Sequence, residues 1–234
     1  MAITLTQART TNTTAAASLA LSFSSLPAVN SLIVVKAAWF PASSTTITIS
    51  DNQGNTYTQS VNAVDGGGSV RCSIHWATAT TSSGTFTVTV NPSGASDDIT
   101  IVIEEYAGVT TSSPTDGATN NAGNSTGPTS NTLTPSQAND LLVAVLTHAG
   151  TDRTLTEGGG FSLAAEDEGG SAHMPIAGAY KVQTSIVTEG ASWTIGTGAV
   201  QWVAGIAAFK AAPAAAAVTV DYTTHPKAWA LTRN

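Results

Sequence analysis

The chain has 234 residues, of which only 10% are charged and 41% are hydrophobic; its net charge is −7 and its pI about 4.8. The length suits two domains, each able to bury a core, and the apolar content with so little charge is that of a folding chain, not a disordered one. An acidic chain with few lysines argues against nucleic acid, which needs a basic face for its phosphates, and against an anionic membrane surface.

The first residues alternate from Ile3 to Leu5, and a first strand is expected over residues 3–10. Leu19, Leu21 and Phe23 share one face of a second strand, although the preceding Ala15-Ala16-Ala17 also fits the start of a helix. Asn30-Ser31-Leu32-Ile33-Val34-Val35 opens a run to Phe40 that is apolar on both faces, the mark of a central buried strand. A hairpin is expected next: Ile47 and Ile49, the polar turn Asp51-Asn52-Gln53-Gly54-Asn55, then Tyr57 and Val61. Val70, Cys72, Ile74 and Trp76 alternate against Arg71, Ser73, His75 and Ala77. Phe86, Val88 and Val90 follow, and Ile99, Ile101 and Ile103 close the series with Val102 and Tyr106 on the other face.

From Thr110 to Thr129 the chain is almost wholly Thr, Ser, Gly, Asn and Pro, which reads as a linker or surface loop. Beyond it the first pattern returns. Asn139, Leu141 and Val143 repeat Asn30, Leu32 and Val34 at a spacing of 109, Tyr180 repeats Trp76 at 104, and Phe209 repeats Tyr106 at 103. Ile176 and Ile206 are set against Ile74 and Ile101, and Trp193 against Phe86. The expectation is an all-β chain of two tandem antiparallel β-sandwiches, Ig-like or jelly-roll-like. The first covers residues 1–109, the linker 110–129, the second sandwich 130–212 and a C-terminal extension 213–234.

Little in the chain carries chemistry. His75, His148, His173 and His225 have no metal-ligand spacing, and Cys72 has no cysteine partner. His75 falls on the polar face of its strand, as a solvated side chain, and Cys72 on the apolar face, as a core residue. Glu104 and Glu105 are consecutive in a strand and point to opposite faces, unlike the facing pair a glycosidase needs. Asp97-Asp98 and Glu166-Asp167-Glu168 read as solvated loops. The 51–55 turn lacks the spacing of a calcium loop, and Gly66-Gly67-Gly68 lacks the lysine and helix of a phosphate cradle. The expectation is a non-enzyme with no cofactor and no metal. Trp39, at the end of the central strand, is the best candidate for surface contact with a sugar. In the extension, Tyr222, Lys227, Trp229, Leu231 and Arg233 are side chains suited to an interface, and the segment reads as an assembly arm.

The motifs Asn-x-Leu-Ile-Val-Val, residues 50–57 (Ser-Asp-Asn-Gln-Gly-Asn-Thr-Tyr) and residues 101–109 (Ile-Val-Ile-Glu-Glu-Tyr-Ala-Gly-Val) together resemble a β-sandwich repeat of tailed-phage virion proteins and some bacterial surface proteins. The resemblance spans about residues 17–212 and implies a particle component: a decoration, fibre or tail protein. Its partners would be other virion proteins and copies of itself. The start, Met1-Ala2-Ile3-Thr4, has neither the basic region nor the apolar run of a signal peptide, and residues 200–220 are too interrupted to span a bilayer. Both fit a protein made in a host cytoplasm and carried in a virion. A decoration protein of the head is the expectation. The alternative is a tail fibre or surface adhesin that recognises a host glycan.

Overall fold

In the computed structural model the described residues are 2–40, 45–68, 70–81, 83–93, 97–150, 154–170, 173–196 and 198–214. Among them are fifteen strands and no helix: β1 (Thr4–Ala16), β2 (Leu19–Ser22), β3 (Leu32–Phe40), β4 (Ile47–Asp51), β5 (Thr58–Val64), β6 (Arg71–Thr78), β7 (Thr87–Pro92), β8 (Asp97–Ala107), β9 (Thr115–Ser125), β10 (Asp140–His148), β11 (Leu155–Gly158), β12 (Ser162–Asp167), β13 (Ile176–Gln183), β14 (Ser192–Ile195) and β15 (Val200–Phe209). All named pairings are antiparallel. One five-stranded sheet runs β1-β8-β3-β6-β5 and the other β12-β13-β10-β15-β9; smaller sheets are β2-β7-β4 and β11-β14. Read from the opposite edge, the second large sheet repeats the order of the first, with β9, β15, β10, β13 and β12 in the places of β1, β8, β3, β6 and β5.

The sheets stack in four layers. Ile33, Val35, Ala37 and Trp39 of β3 pack with Val88 and Val90 of β7 under the three-stranded sheet. Leu142, Ala144 and Leu146 of β10 pack with Leu155, Trp193 and Ile195 under the two-stranded one. Between them, Leu32, Val34, Ile74 and Val102 meet Leu141, Val143, Ile176 and Val203 in one central core. This explains why β3 and β10 are apolar on both faces: each is the middle of a buried sheet covered on both sides.

The linker or surface loop expected over residues 110–129 is corrected by this stack. Residues 115–125 are β9, the edge strand paired along β15. The strand needs no large apolar side chains of its own, because β15 supplies them. Trp202 lies over Gly123, where an added Cβ would come within 2.7 Å of the indole. Its Nε1 donates to Ser125 Oγ at 2.9 Å. The first strand is also longer than expected, since β8 pairs with it as far as Ala16, and the alanine run ends a strand instead of starting a helix.

Leu32, Val34, Ile74, Phe86 and Ile101 are buried, as are their repeat partners Leu141, Val143, Ile176, Trp193 and Ile206; Trp76 and Tyr180, which occupy equivalent places, are half-buried. Two matches shift by two residues. The ladder sets Lys36 opposite Ile74 and Val145 opposite Gly178, so Ile74 corresponds to Gly178. In the same way Val35 faces Ile103 and Ala144 faces Ile206. Asn30 and Asn139 both have positive φ, 71° and 66°. Asparagine tolerates that conformation better than most residues, which accounts for its place before both central strands.

The halves meet about an approximate two-fold axis. Trp76 rests edge-on against Phe209 at 5.9 Å between centroids, and the equivalent pair, Tyr180 and Tyr106, does so at 5.8 Å. Past β8 and β15 the chain segments pair with each other. Val109 bridges Ala211, and the Ala212 N–H donates to the Gly108 carbonyl at 2.7 Å. At this end Ala2, Ile3, Ala211, Ala212 and Ala214 line one cleft, while β3, β5, β10 and β12 all run to the opposite end.

Candidate functional site

Lys36 stands in the middle of β3 among Leu32, Val34 and Ala38, on the face turned to the second half of the chain. Alternation along the strand leaves it no route to solvent, and it is 0% exposed. Its Nζ donates to Glu104 Oε1 on β8, also 0% exposed, and to the Ala179 carbonyl of β13 at 3.1 Å. The Tyr106 hydroxyl, two residues along from Glu104, donates to Oε2 at 2.9 Å. Gly178 lies against this group; a Cβ there would be 3.0 Å from Glu104 Oε1. Burial pushes the lysine pKa down and the glutamate pKa up, against the attraction and hydrogen bond between them. Burial, with Glu104 beside it, also raises the Tyr106 hydroxyl. The second half holds Val145 and Ala207 at the places of Lys36 and Glu104, so the fold itself does not demand an ion pair.

A second acidic pair lies at the end where β9 and β10 begin. Asp140 is buried, and its Oδ1 accepts the Ala211 N–H at 3.2 Å, while Oδ2 has no hydrogen-bond partner among the described residues. Burial, then the neighbouring Asp116 carboxyl, raises Asp140 to about 6. For Asp116 burial pulls upward too, but hydrogen bonds from Ser136, with help from Asp140 and Lys210, hold it below its ordinary value. With Asp140 raised and Asp116 lowered, Asp140 is the member of the pair that takes up a proton first.

Several residues singled out from sequence take other roles. Trp39, the candidate for surface contact, is 0% exposed and packs under the small sheet, in the core role that also fitted it; it is Phe40 beside it that is exposed, at 41%. The strand's odd positions face inward here because the outer sheet covers them. For the same reason His75 is buried and not solvated, and burial lowers its pKa to about 4. Cys72 is a core residue, its thiol pushed up by burial. In the 51–55 turn, Asp51 Oδ1 accepts the N–H groups of Gln53 and Asn55, and Oδ2 accepts the Asn55 amide and the Tyr57 hydroxyl. That carboxylate is filled by the turn's own donors. Glu104 and Glu105 do face opposite ways, yet both are buried. Glu105 accepts from Ser31, Ala28 and Gln7. Asp167 is not a solvated loop residue either: it ends β12, and holds Asn12 at 2.7 Å and His173 at 2.9 Å.

Tyr222, Lys227, Trp229, Leu231 and Arg233 lie outside the described residues, as does His225. Among the described residues, no group of three or more His, Cys, Asp or Glu is placed to hold a metal ion, and no helix is long and apolar enough to cross a membrane. The sequence reading missed the Lys36–Glu104–Tyr106 group, although a lysine at an inward position of an apolar strand was its visible sign. The chain matches no family model, no curated protein and no solved structure.

Proposed function

We propose that this chain is a non-enzymatic structural component of a phage particle, and that it decorates and stabilises the head. The observation that supports this reading is the four-layer stack with its two distinct ends. At one end Ala2 and Ala214 line the same cleft; the other receives the ends of β3, β5, β10 and β12. A rigid block held at one end and presenting the other suits a protein that sits on a surface. Polar side chains with little charge suit a face that packs in repeated copies. The glycan-binding alternative has lost its aromatic, since Trp39 is in the core. Immunogold labelling of particles from the source culture tests the proposal. Label spread over the heads is expected. Label confined to tails, or absent from purified particles, would overturn it.

A further inference from the structure

We propose that Lys36 and Glu104 condense to a side-chain amide that cross-links β3 to β8 inside the central core. The inference does not depend on the role proposed above. It starts from a contrast within the molecule: one half carries an amine and a carboxyl in direct contact, and the other carries Val145 and Ala207 at the same places. Two opposite charges buried in an apolar core are a poor source of stability, so their retention in one half calls for another reason.

The surroundings supply what the condensation needs. Both side chains are 0% exposed and sit among Val34, Ile74 and Val102, where water competes with neither. Burial favours the neutral amine and the neutral acid, the two forms that react. The Ala179 carbonyl takes one Nζ hydrogen and so fixes the direction of the nitrogen lone pair. The Tyr106 hydroxyl is already on Oε2, where negative charge develops as nitrogen adds to the carbon. Holding the partners in contact removes the entropy cost of bringing them together.

The step balances without an added reagent. The Nζ lone pair forms a bond to Cδ of the protonated carboxyl. The tetrahedral intermediate keeps its negative oxygen, Oε2, on the Tyr106 hydroxyl. One Nζ proton passes to the protonated Oε1, the Cδ–Oε1 bond breaks and Oε1 leaves as water. The oxyanion collapses to the carbonyl as the water departs, which restores neutrality, and the one remaining N–H of the amide stays on Ala179. Gly178 fits the same picture: a Cβ there would press on the departing oxygen from 3.0 Å.

Intact mass measurement of the full chain decides the matter, on protein kept folded for one week at neutral pH. The expected mass is below that of the sequence by one water, about 18 Da. Trypsin should then fail to cut after Lys36 and leave the peptides spanning residues 10–71 and 72–153 joined. Lys36→Met should have its full sequence mass. Should that variant not fold, the triple variant Lys36→Met, Glu104→Leu, Tyr106→Phe serves as the control. Tyr106→Phe should reach the lighter mass more slowly than the wild type. A wild-type mass equal to that of the sequence, with free cleavage after Lys36, would overturn the proposal and leave an ordinary buried ion pair.

Discussion

Asp140→Asn should stabilise the protein, and only above a certain pH. Asp140 has its carboxyl raised from 3.8 to about 6 by burial and by Asp116. A group raised in the folded state binds its proton more tightly there than in the unfolded chain. Its contribution is complete below the unfolded value and is lost as the pH rises through about 6. A rise of that size corresponds to about 3 kcal/mol at most, and a discount for solvent screening brings the expectation to about 1–3 kcal/mol. Asparagine reproduces the protonated form: its Oδ1 can still accept the Ala211 N–H, and it places no second negative charge beside Asp116. Urea unfolding of wild type and variant at pH 4 and pH 8 isolates the effect, because other carboxylates titrate alike in both. The variant should be more stable at pH 8 and nearly equal at pH 4. An equal difference at both values would show that the gain does not come from the raised Asp140 carboxyl and has another origin.

Lys36→Met removes the partner of a buried carboxyl and should cost about 3–5 kcal/mol in denaturant unfolding; a loss below about 1 kcal/mol would mean that Glu104 does not need it. Gly205→Ala puts a methyl where Val61 Cγ1 would lie 2.6 Å away, and should lower stability by about 1–3 kcal/mol through overpacking, read from the urea midpoint. A chain ending at Ala214 keeps every described strand and the Ala212–Gly108 hydrogen bond, and its melting temperature should match that of the full chain; separate melting of one half would contradict the shared core. Asp51→Ala leaves the Tyr57 hydroxyl and Asn55 amide without their acceptor and should cost about 1–3 kcal/mol, without any effect of chelator on the wild type.

Most strands were legible because their apolar residues recur with a period of two. Leu32 to Phe40 and the run from Leu141 to Leu146 announced themselves as central strands, and Ile99, Ile101 and Ile103 fell on one face as expected. The reading failed where a strand's character comes from its neighbour. Residues 115–125 carry the composition of a loop, yet β15 holds them in a sheet. It also failed where polar side chains face a second covering layer. Ser73 and His75 alternate like a solvated face, and nothing local reveals the sheet above them. The Lys36–Glu104 group was hidden for a related reason: its partners lie 68 positions apart, and pairing them requires the register of β3 on β8.

The two faces that meet in the central core have diverged in bulk. The first half offers Lys36, Ile74, Val102 and Glu104; the second offers Val145, Gly178, Gly205 and Ala207 at the corresponding positions. Two first halves brought together would collide and crowd two ion pairs into one space, and two second halves would leave voids. Only unlike halves fit. Chains emerging from neighbouring ribosomes, each exposing a sticky sheet before synthesis ends, therefore have a built-in bias against coupling like with like. The most favourable fit is between a first half and a second half, and the short connection between them makes the one from the same chain the nearest to hand.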